Sequence, residues 1–223
     1  MSGSSRTKAG RGRARGFAGQ TRRSLVASVF AAAALAILPQ TGAADDHGAI
    51  ESTTGQLLVA APSMPDSRFA RTVIYMVRHD EAGAMGLVVN QPMGEVPFAS
   101  LLENLGIDAD DAEGTVRIHF GGPVEYGQGF VLHSPEYTVE GTLVVDDGLA
   151  LTSKADIVRD IAAGEGPRQS LVAFGYAGWA PGQLDAEMAR DDWIAVPADA
   201  ALVFDDQYED KWRRALALRG VDL

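Results

Sequence analysis

The segment Phe174–Leu184 has the clearest potential for ligand contact, because three glycines, a tyrosine, a tryptophan and a proline fall within eleven residues. Such a density of glycine is typical of backbone that bends sharply or approaches another group closely. Tyr176 and Trp179 offer flat, partly polar surfaces, and Gln183 lies beside them. We therefore predict a loop that lines a pocket, although both aromatic residues also suit a structural role in the core or at its rim.

A second candidate is the pair Gly121 and Gly122, which follows a strand-like run and precedes Pro123. Consecutive glycines can present backbone N–H groups to an anion. The same residues are typical of a tight turn, which the proline favours. They match neither a phosphate-binding loop nor the dinucleotide fingerprint, so the turn is the preferred interpretation.

A third candidate is His133, followed by Ser134 at the end of a strand-like run. Adjacent residues of an extended chain point to opposite sides, which argues against a direct pair of base and nucleophile. No G-x-S-x-G nucleophile elbow occurs in the chain. His133 suits a pocket or a structural role, and Ser134 suits a turn.

Metal and carboxylate chemistry have little support in the sequence. His79, His119 and His133 match no standard metal-site spacing, and the chain has no cysteine, which excludes disulfides and thiolate sites. Asp185 and Glu187 can do acid–base work, but acidic residues there also suit a helix N-terminus. We predict no metal, no cofactor and no catalytic residue.

The charge of the chain is unevenly distributed. Seven of the 19 basic residues and none of the 30 acidic residues lie in 1–44, which leaves a formal charge of −18 on residues 45–223. A segment with this much negative charge repels the phosphate backbones of nucleic acids. We therefore expect no nucleic-acid binding.

Residues 1–44 have the order of a signal peptide. Basic residues precede an uncharged stretch, Ser24–Leu38, and Pro39 is followed by small residues up to Ala44. The segment Thr21–Val26 contains two adjacent arginines and resembles a twin-arginine signal. The apolar run is shorter than the roughly 20 residues that span a bilayer, so we expect no membrane anchor after cleavage.

We therefore predict an exported, periplasmic protein with a signal peptide at 1–44, a polar linker at 45–54 and a single domain at 55–223. The alternative is a cytoplasmic protein whose start codon is placed too far upstream.

The apolar pattern of the domain predicts strands and helices without regular β-α-β alternation, which indicates an α+β fold with a mainly antiparallel sheet. Asp80–Gly83 has the composition of a hairpin turn, and Ser153 is placed to cap a helix. The predicted strands are 56–61, 72–78, 85–90, 116–120, 129–133, 141–145, 169–176 and 193–196. The predicted helices are 97–105, 153–163, 181–190 and 206–218.

Several separate motifs, in order and spacing, resemble the AlgH/YqgE family over roughly residues 55–223. They are Gln56–Pro62, Arg71–Tyr75, Gly83–Asn90, Gly121–Val124, Gly129–Pro135, Leu151–Ser153, Gly175–Trp179, Gly182–Leu184, Pro197–Asp199 and Phe204-Asp205.

The resemblance implies a bifurcated sheet curled into a pseudo-barrel and flanked by helices. It also implies a bacterial protein with a regulatory role, proposed for alginate production, and it carries over no catalytic residues. The basic segment 1–44 and the acidic segment 45–223 depart from the family pattern. Both features disfavour direct transcriptional regulation.

Our leading hypothesis is a non-enzymatic binding or regulatory protein that recognises a small ligand or a protein partner. Its surface would combine Gly121–Val124, His133-Ser134 and Tyr176–Gln183. The rival hypothesis is a hydrolase or transferase of unrecognised type that uses His133 as base and the Gly121 and Gly122 amides as anion holders. The third hypothesis is a regulator that binds DNA directly.

Overall fold

The computed structural model of the protein describes residues 51–109 and 112–219. The predicted signal peptide and the first part of the predicted linker lie outside the described residues. Ten strands and five helices occur in the described part of the chain. The strands are β1 (Gln56–Ala60), β2 (Val73–Asp80), β3 (Gly83–Val88), β4 (Pro92–Pro97), β5 (Thr115–Phe120), β6 (Val124–His133), β7 (Thr142–Val144), β8 (Ala150–Thr152), β9 (Ser170–Trp179) and β10 (Trp193–Pro197). The helices are α1 (Phe98–Asn104), α2 (Asp156–Ala162), α3 (Gln183–Met188), α4 (Ala200–Phe204) and α5 (Tyr208–Ala217).

The strands form one curled sheet that branches at β9. Its main path runs β10-β1-β2-β3-β9-β6-β8-β7 with antiparallel neighbours, and β4 and β5 lie off this path. The first half of β9 pairs with β5 in parallel and with β6, whereas its second half pairs with β3. The predicted α+β class and the bifurcated, mainly antiparallel sheet are confirmed.

The branch depends on glycines because backbones of different strands meet there. A Cβ atom on Gly121 would lie 2.2 Å from the carbonyl oxygen of Gly175. A Cβ atom on Gly122 would lie 2.0 Å from the carbonyl carbon of Tyr176. Gly175 itself has φ +72°, which disfavours other residues. The glycines therefore let β9 change partners halfway along its length.

Apolar side chains pack into three clusters on the two faces of the sheet. Leu57 and Val59 of β1 belong to the first cluster, and the alternating Leu58 and Ala60 belong to the second. The first cluster extends into α4 and α5, and the second is covered by α3. The third lies where α1 and α2 pack on β5, β6 and β9. No helix in the described ranges is long and apolar enough to cross a bilayer.

Most predicted elements are present, and three differences have physical causes. Strand β4 was missed because it is mostly exposed and contains two prolines and a glycine, which are typical of turns. Its Pro92 is tolerated at the first position of an edge strand. Ser153 does not cap α2, since Ala150–Thr152 forms β8 and the helix starts only at Asp156. The short helix α4 was also missed, although the Asp199 side chain accepts a hydrogen bond from the Ala201 N–H at its start.

The residues just before position 55, the predicted start of the domain, are hydrogen-bonded to the end of β2. Ser52 Oγ donates to the His79 carbonyl at 2.8 Å, and the His79 N–H donates to Thr54 Oγ1 at 2.8 Å. The Thr53 N–H donates to His79 Nδ1 at 3.3 Å. These bonds fasten Ser52–Thr54, part of the predicted linker, to the end of β2.

Candidate functional site

The glycine-rich segment is mostly strand, which corrects its prediction as a loop. Strand β9 continues to Trp179, and only three residues separate it from α3. Gly182, with φ +70°, precedes the first residue of the helix. Gln183 Oε1 accepts a hydrogen bond from the Ala180 N–H at 3.1 Å and closes this turn. Trp179 and Gln183 are thereby held at the same end of β9.

One carboxylate organises the aromatic residues at this end of the sheet. Glu187 Oε2 accepts hydrogen bonds from the indole N–H groups of Trp179, at 2.9 Å, and Trp193, at 2.8 Å. Glu187 Oε1 accepts from Gln183 Nε2 at 2.9 Å. Gln183 and Glu187 are four residues apart and so share one face of α3. The two indole rings are fixed nearly perpendicular, with centroids 5.9 Å apart and an interplanar angle of 83°.

These rings border a cleft of about 230 Å³, here called the tryptophan pocket. The Phe69 ring stands edge-on to Trp193, with 5.7 Å between the ring centroids. Trp179 and Trp193 are buried, with 9% and 4% of their surfaces exposed, so they form the interior of the pocket. The lining consists of Met64, Pro65, Asp66, Arg68, Phe69, Pro123, Ala177, Gly178, Trp179, Gln183, Glu187, Arg190, Asp192 and Trp193.

The charged groups of the tryptophan pocket are paired with one another. Arg68 contacts Asp66 at 2.6 Å, and Arg190 contacts Asp192 at 3.0 Å. Hydrogen bonding by the Arg68 side chain lowers the pKa of the Asp66 carboxyl below its usual range. Solvent screens the exposed Arg68–Asp66 pair, so a ligand can displace it at little cost. The pocket therefore presents an aromatic interior with an adaptable, nearly balanced set of charges.

Tyr176 lies in an adjoining cleft rather than in the tryptophan pocket itself. It packs edge-on against Phe130, with centroids 5.9 Å apart, on the side of the first apolar cluster. The adjoining cleft has a volume of about 280 Å³ and shares Gly178 and Trp179 with the tryptophan pocket. Tyr176 is thus placed to contact only a ligand that extends past Trp179.

His133 and Ser134 lie at the opposite end of β6 from Val124, and neither residue lines the tryptophan pocket. His133 is fully buried, and its Nδ1 lies 2.9 Å from the Ser134 carbonyl oxygen. Its Nε2 lies 2.9 Å from Thr152 Oγ1, which in turn is 2.8 Å from Thr142 Oγ1. Burial lowers the pKa of His133, which favours the neutral ring. Both ring nitrogens are engaged in a closed polar network.

The Ser134 hydroxyl has its own partners. It donates to Glu136 Oε1 at 2.8 Å and accepts from the Gln169 N–H at 3.1 Å. Hydrogen bonding by Arg168 lowers the pKa of Glu136 to about 2. The sequence predicted that His133 and Ser134 would point in opposite directions, and their side chains indeed have separate partners. Each side chain forms hydrogen bonds to neighbouring strands or turns.

Gly121 and Gly122 belong to the branch point of the sheet. The Gly121 N–H donates to the Phe174 carbonyl at 2.8 Å, and the Gly121 carbonyl accepts from the Val88 N–H at 2.9 Å. The Gly121 amide is thus already used within the sheet and is not presented to an anion. Of this segment, Pro123 lines the tryptophan pocket and Val124 lines the adjoining cleft.

The three histidines considered for a metal site lie in separate places. His79 Nε2 faces Asp185 at 3.5 Å, whereas the His119 ring packs on Tyr208 with centroids 5.3 Å apart. His133 is enclosed by the network described above. Across residues 51–109 and 112–219, no group of three or more histidine, cysteine or acidic residues is arranged to hold a metal ion.

Sequence reasoning missed Trp193 and Phe69, and it did not connect Glu187 with them. Trp193 begins a strand that is distant in sequence from β1, its pairing partner, so its position depends on tertiary structure. The spacing of Gln183 and Glu187 was the one local signal, since it placed both polar groups on the same face of a helix.

Comparison with known proteins gives the family. The family model described as AlgH-like matches residues 57–223. A UPF0301 protein of Afipia carboxidovorans is 50% identical over 177 residues, covering 76% of this chain and 84% of that protein. A UPF0301 protein of Rhodospirillum rubrum is 48% identical over 169 residues, with coverages of 76% and 88%.

Solved structures agree with this relationship. The solution structure of the AlgH protein from Pseudomonas aeruginosa is similar with a TM-score of 0.66 and 41% identity, over 78% of this chain and 92% of that one. A crystal structure of a Corynebacterium diphtheriae protein, 24% identical, has a TM-score of 0.59 over 76% of this chain and 87% of that one, and it supports the fold alone. The chain belongs to the AlgH-like family.

Proposed function

We propose that the protein is a non-enzymatic binding or regulatory protein that takes a compact apolar or aromatic group into the tryptophan pocket. The observation that carries this proposal is the double hydrogen bond from Trp179 and Trp193 to Glu187. Because the carboxylate fixes both indoles, the rings are oriented before a ligand arrives. Such preorganisation reduces the entropy that binding would otherwise cost.

The size and lining of the tryptophan pocket define the class of ligand. Its volume of about 230 Å³ is below the roughly 300–1,000 Å³ of pockets for drug-sized molecules. It suits one ring of a small metabolite or one side chain of a protein partner. Pro65 and Pro123 extend the apolar surface around the rings. Since the indole N–H groups are occupied, recognition would rest on ring stacking and on the rim charges.

The surroundings of the pocket favour binding over catalysis. Glu187 is held as an acceptor for Trp179, Trp193 and Gln183. His133, the base in the hydrolase or transferase hypothesis, lies outside the pocket with both nitrogens engaged. The excess of acidic residues continues to disfavour the DNA-binding alternative.

The finer proposal, which follows the role implied by the resemblance to the AlgH/YqgE family, is regulation of exopolysaccharide production through the occupant of this pocket. Residues 1–44 support the further proposal of an exported protein. The mass of the protein from its native host tests the second point: a chain starting near Asp45 supports export, and a chain that retains the basic segment 1–44 opposes it.

The indole N–H signals in NMR spectra test the binding proposal. The chain has three tryptophans, and the third, Trp212, donates instead to the Ala60 carbonyl at 2.7 Å. Titration with indole, phenol and a proline-rich peptide should shift the signals of Trp179 and Trp193 and leave that of Trp212 in place. Binding of indole or phenol would indicate a small-molecule ligand, whereas binding of the peptide would indicate a side chain of a protein partner.

Phe69→Ala is the matched variant, since it removes one wall without touching Glu187. It should weaken binding of the active probe roughly fivefold. If no probe shifts Trp179 or Trp193, or if Phe69→Ala leaves the affinity unchanged, the tryptophan pocket is not the binding site.

A further inference from the structure

A second cavity lies on the other arm of the fold, in the third apolar cluster. It has a volume of about 160 Å³ and lies between α1, α2, β6 and β9. This is close to the roughly 150 Å³ of an engineered apolar protein cavity that accepts benzene. The lining is mainly apolar and consists of Leu101, Leu105, Gly127, Gln128, Gly129, Ser153, Lys154, Ala155, Val158, Val172 and Phe174.

One side of this cavity is formed by an irregular part of β6. Val124 pairs with Tyr176, but the next pair along the strand joins Gly129 and Phe174. Residues 125–128 therefore have no pairing partners on β9 and stand out from the sheet. Gly127 has no non-neighbouring atom within 4 Å of an added Cβ, so this backbone has room to adjust around an occupant.

The cavity also has an available positive charge. The chain carries only two lysines among its described residues, Lys154 and Lys211. Lys211 is fully buried and donates to the carbonyls of Val203 at 2.7 Å and Asp205 at 3.0 Å, where α4 ends.

Lys154 is exposed, and its ammonium group forms no ion pair or hydrogen bond with the described part of the chain. Its Cγ and Cε atoms lie about 3.5 and 3.4 Å from the position of a Cβ on Gly141, so the stem of the side chain rests against that turn. An unpaired cation is unexpected in a domain with 30 acidic and 12 basic residues beyond position 44. Its placement on the lining of an apolar cavity supplies the two parts of a site for an amphipathic anion.

We propose that this cavity binds a small monocarboxylic acid, with the apolar body enclosed and the carboxylate paired with Lys154. Ser153 and Gln128 lie on the same lining, and Gln128 Nε2 donates to the Gly129 carbonyl at 3.0 Å. A charge-assisted hydrogen bond from lysine to carboxylate adds affinity and selects the anion over a neutral analogue. The site is separate from the tryptophan pocket, so neither proposal depends on the other.

Phenylacetate and the neutral phenylacetamide are matched probes, since their apolar bodies are the same. In two-dimensional NMR titrations, phenylacetate should shift the backbone N–H signals of Gly127, Gly129 and Ala155 saturably. Phenylacetamide should bind about tenfold more weakly, because it lacks the charge.

Two variants locate the interaction. Lys154→Met keeps the stem and removes the charge, so it should weaken phenylacetate about tenfold and leave phenylacetamide unchanged. Ala155→Leu fills the cavity and should abolish the shifts that both probes cause at Gly127 and Gly129, whereas Phe69→Ala in the tryptophan pocket should leave those shifts unchanged. The proposal is overturned if phenylacetate gives no saturable shift, if the two probes bind equally well, or if Lys154→Met binds phenylacetate normally.

Discussion

The two ends of strand β6 differ in what their polar groups do. At the His133 end, imidazole, hydroxyl and carbonyl groups satisfy one another inside the protein. At the Val124 end, Glu187 accepts hydrogen bonds from two indole N–H groups and so orients the rings that border a cleft. Chemically versatile residues thus serve stability at one end, whereas mainly aromatic residues form the candidate binding site at the other. The presence of histidine and serine was therefore a poor guide to the location of the site.

The largest expected effect lies at the branch that connects these two ends. Gly122→Ala would place a Cβ 2.0 Å from the Tyr176 carbonyl carbon, and its φ of +150° disfavours alanine as well. We expect a loss of about 3–5 kcal/mol in the free energy of unfolding. Urea unfolding followed by circular dichroism measures it. Gly127→Ala, in open space, is the control and should change stability by no more than about 0.5 kcal/mol; equal effects would contradict the account of the branch.

His133→Ala should be the next largest change. It removes a fully buried ring and one of the two side-chain hydrogen-bond partners of the Thr152 hydroxyl, so we expect a loss of about 2–4 kcal/mol. Thermal unfolding measures this change, and the indole signals of Trp179 and Trp193 should stay in place. The exposed Glu140 serves as control through Glu140→Ala. A stable His133→Ala protein that has lost ligand binding would reverse the roles assigned to the two ends.

Glu187→Leu should cost less in stability but should disturb the opposite end. Both indole N–H groups would lose their acceptor, at a cost of about 1–3 kcal/mol. The indole signals of Trp179 and Trp193 should move strongly, and ligand affinity should fall because the rings are no longer held. Glu103→Gln, at an exposed carboxylate of α1, is the matched control. Unchanged indole signals in Glu187→Leu would show that the carboxylate does not orient the rings.

Acidification should weaken the domain through its buried histidines. Burial lowers the pKa of His119 to about 4 and also lowers that of His133. In the unfolded chain both protonate near pH 6.5, so the unfolded state binds more protons below that pH. Stability should therefore fall as the pH drops from about 6.5 toward 4, by about 1–2 kcal/mol between pH 7 and 5. Unfolding midpoints across this range measure the slope, and a rise in stability on acidification would contradict the assignment.

The sequence predicts those parts of the fold that local patterns determine. The continuous apolar run of β1 and the turn at Asp80–Gly83 can be predicted from sequence because they depend on neighbours in the chain. The branch at Gly175 cannot be predicted from local sequence, because a strand that changes partners has the same glycine content as a loop. Of the three segments predicted to converge, two contribute to the lining of the tryptophan pocket, through Pro123 and Trp179, and His133-Ser134 does not.

The remainder of the candidate site depends on contacts between distant segments. Trp193 reaches Glu187 because β10 pairs with β1 at the edge of the sheet, a pairing that no local pattern indicates. His133 illustrates the opposite error, because a buried histidine and a pocket histidine look the same in sequence. Its partner Thr152 lies on β8, a three-residue strand too short to predict.

A crystallographic fragment screen would show directly which end of β6 binds ligands. Crystals would be soaked in a set of single-ring compounds, some neutral and some carrying a carboxylate, and the bound positions compared between the two ends of β6. We expect a ring seated against Trp179 and Trp193, with Glu187 still accepting hydrogen bonds from both indole N–H groups. Compounds that gather instead around His133 and Ser134, with the tryptophan pocket left empty, would contradict this expectation.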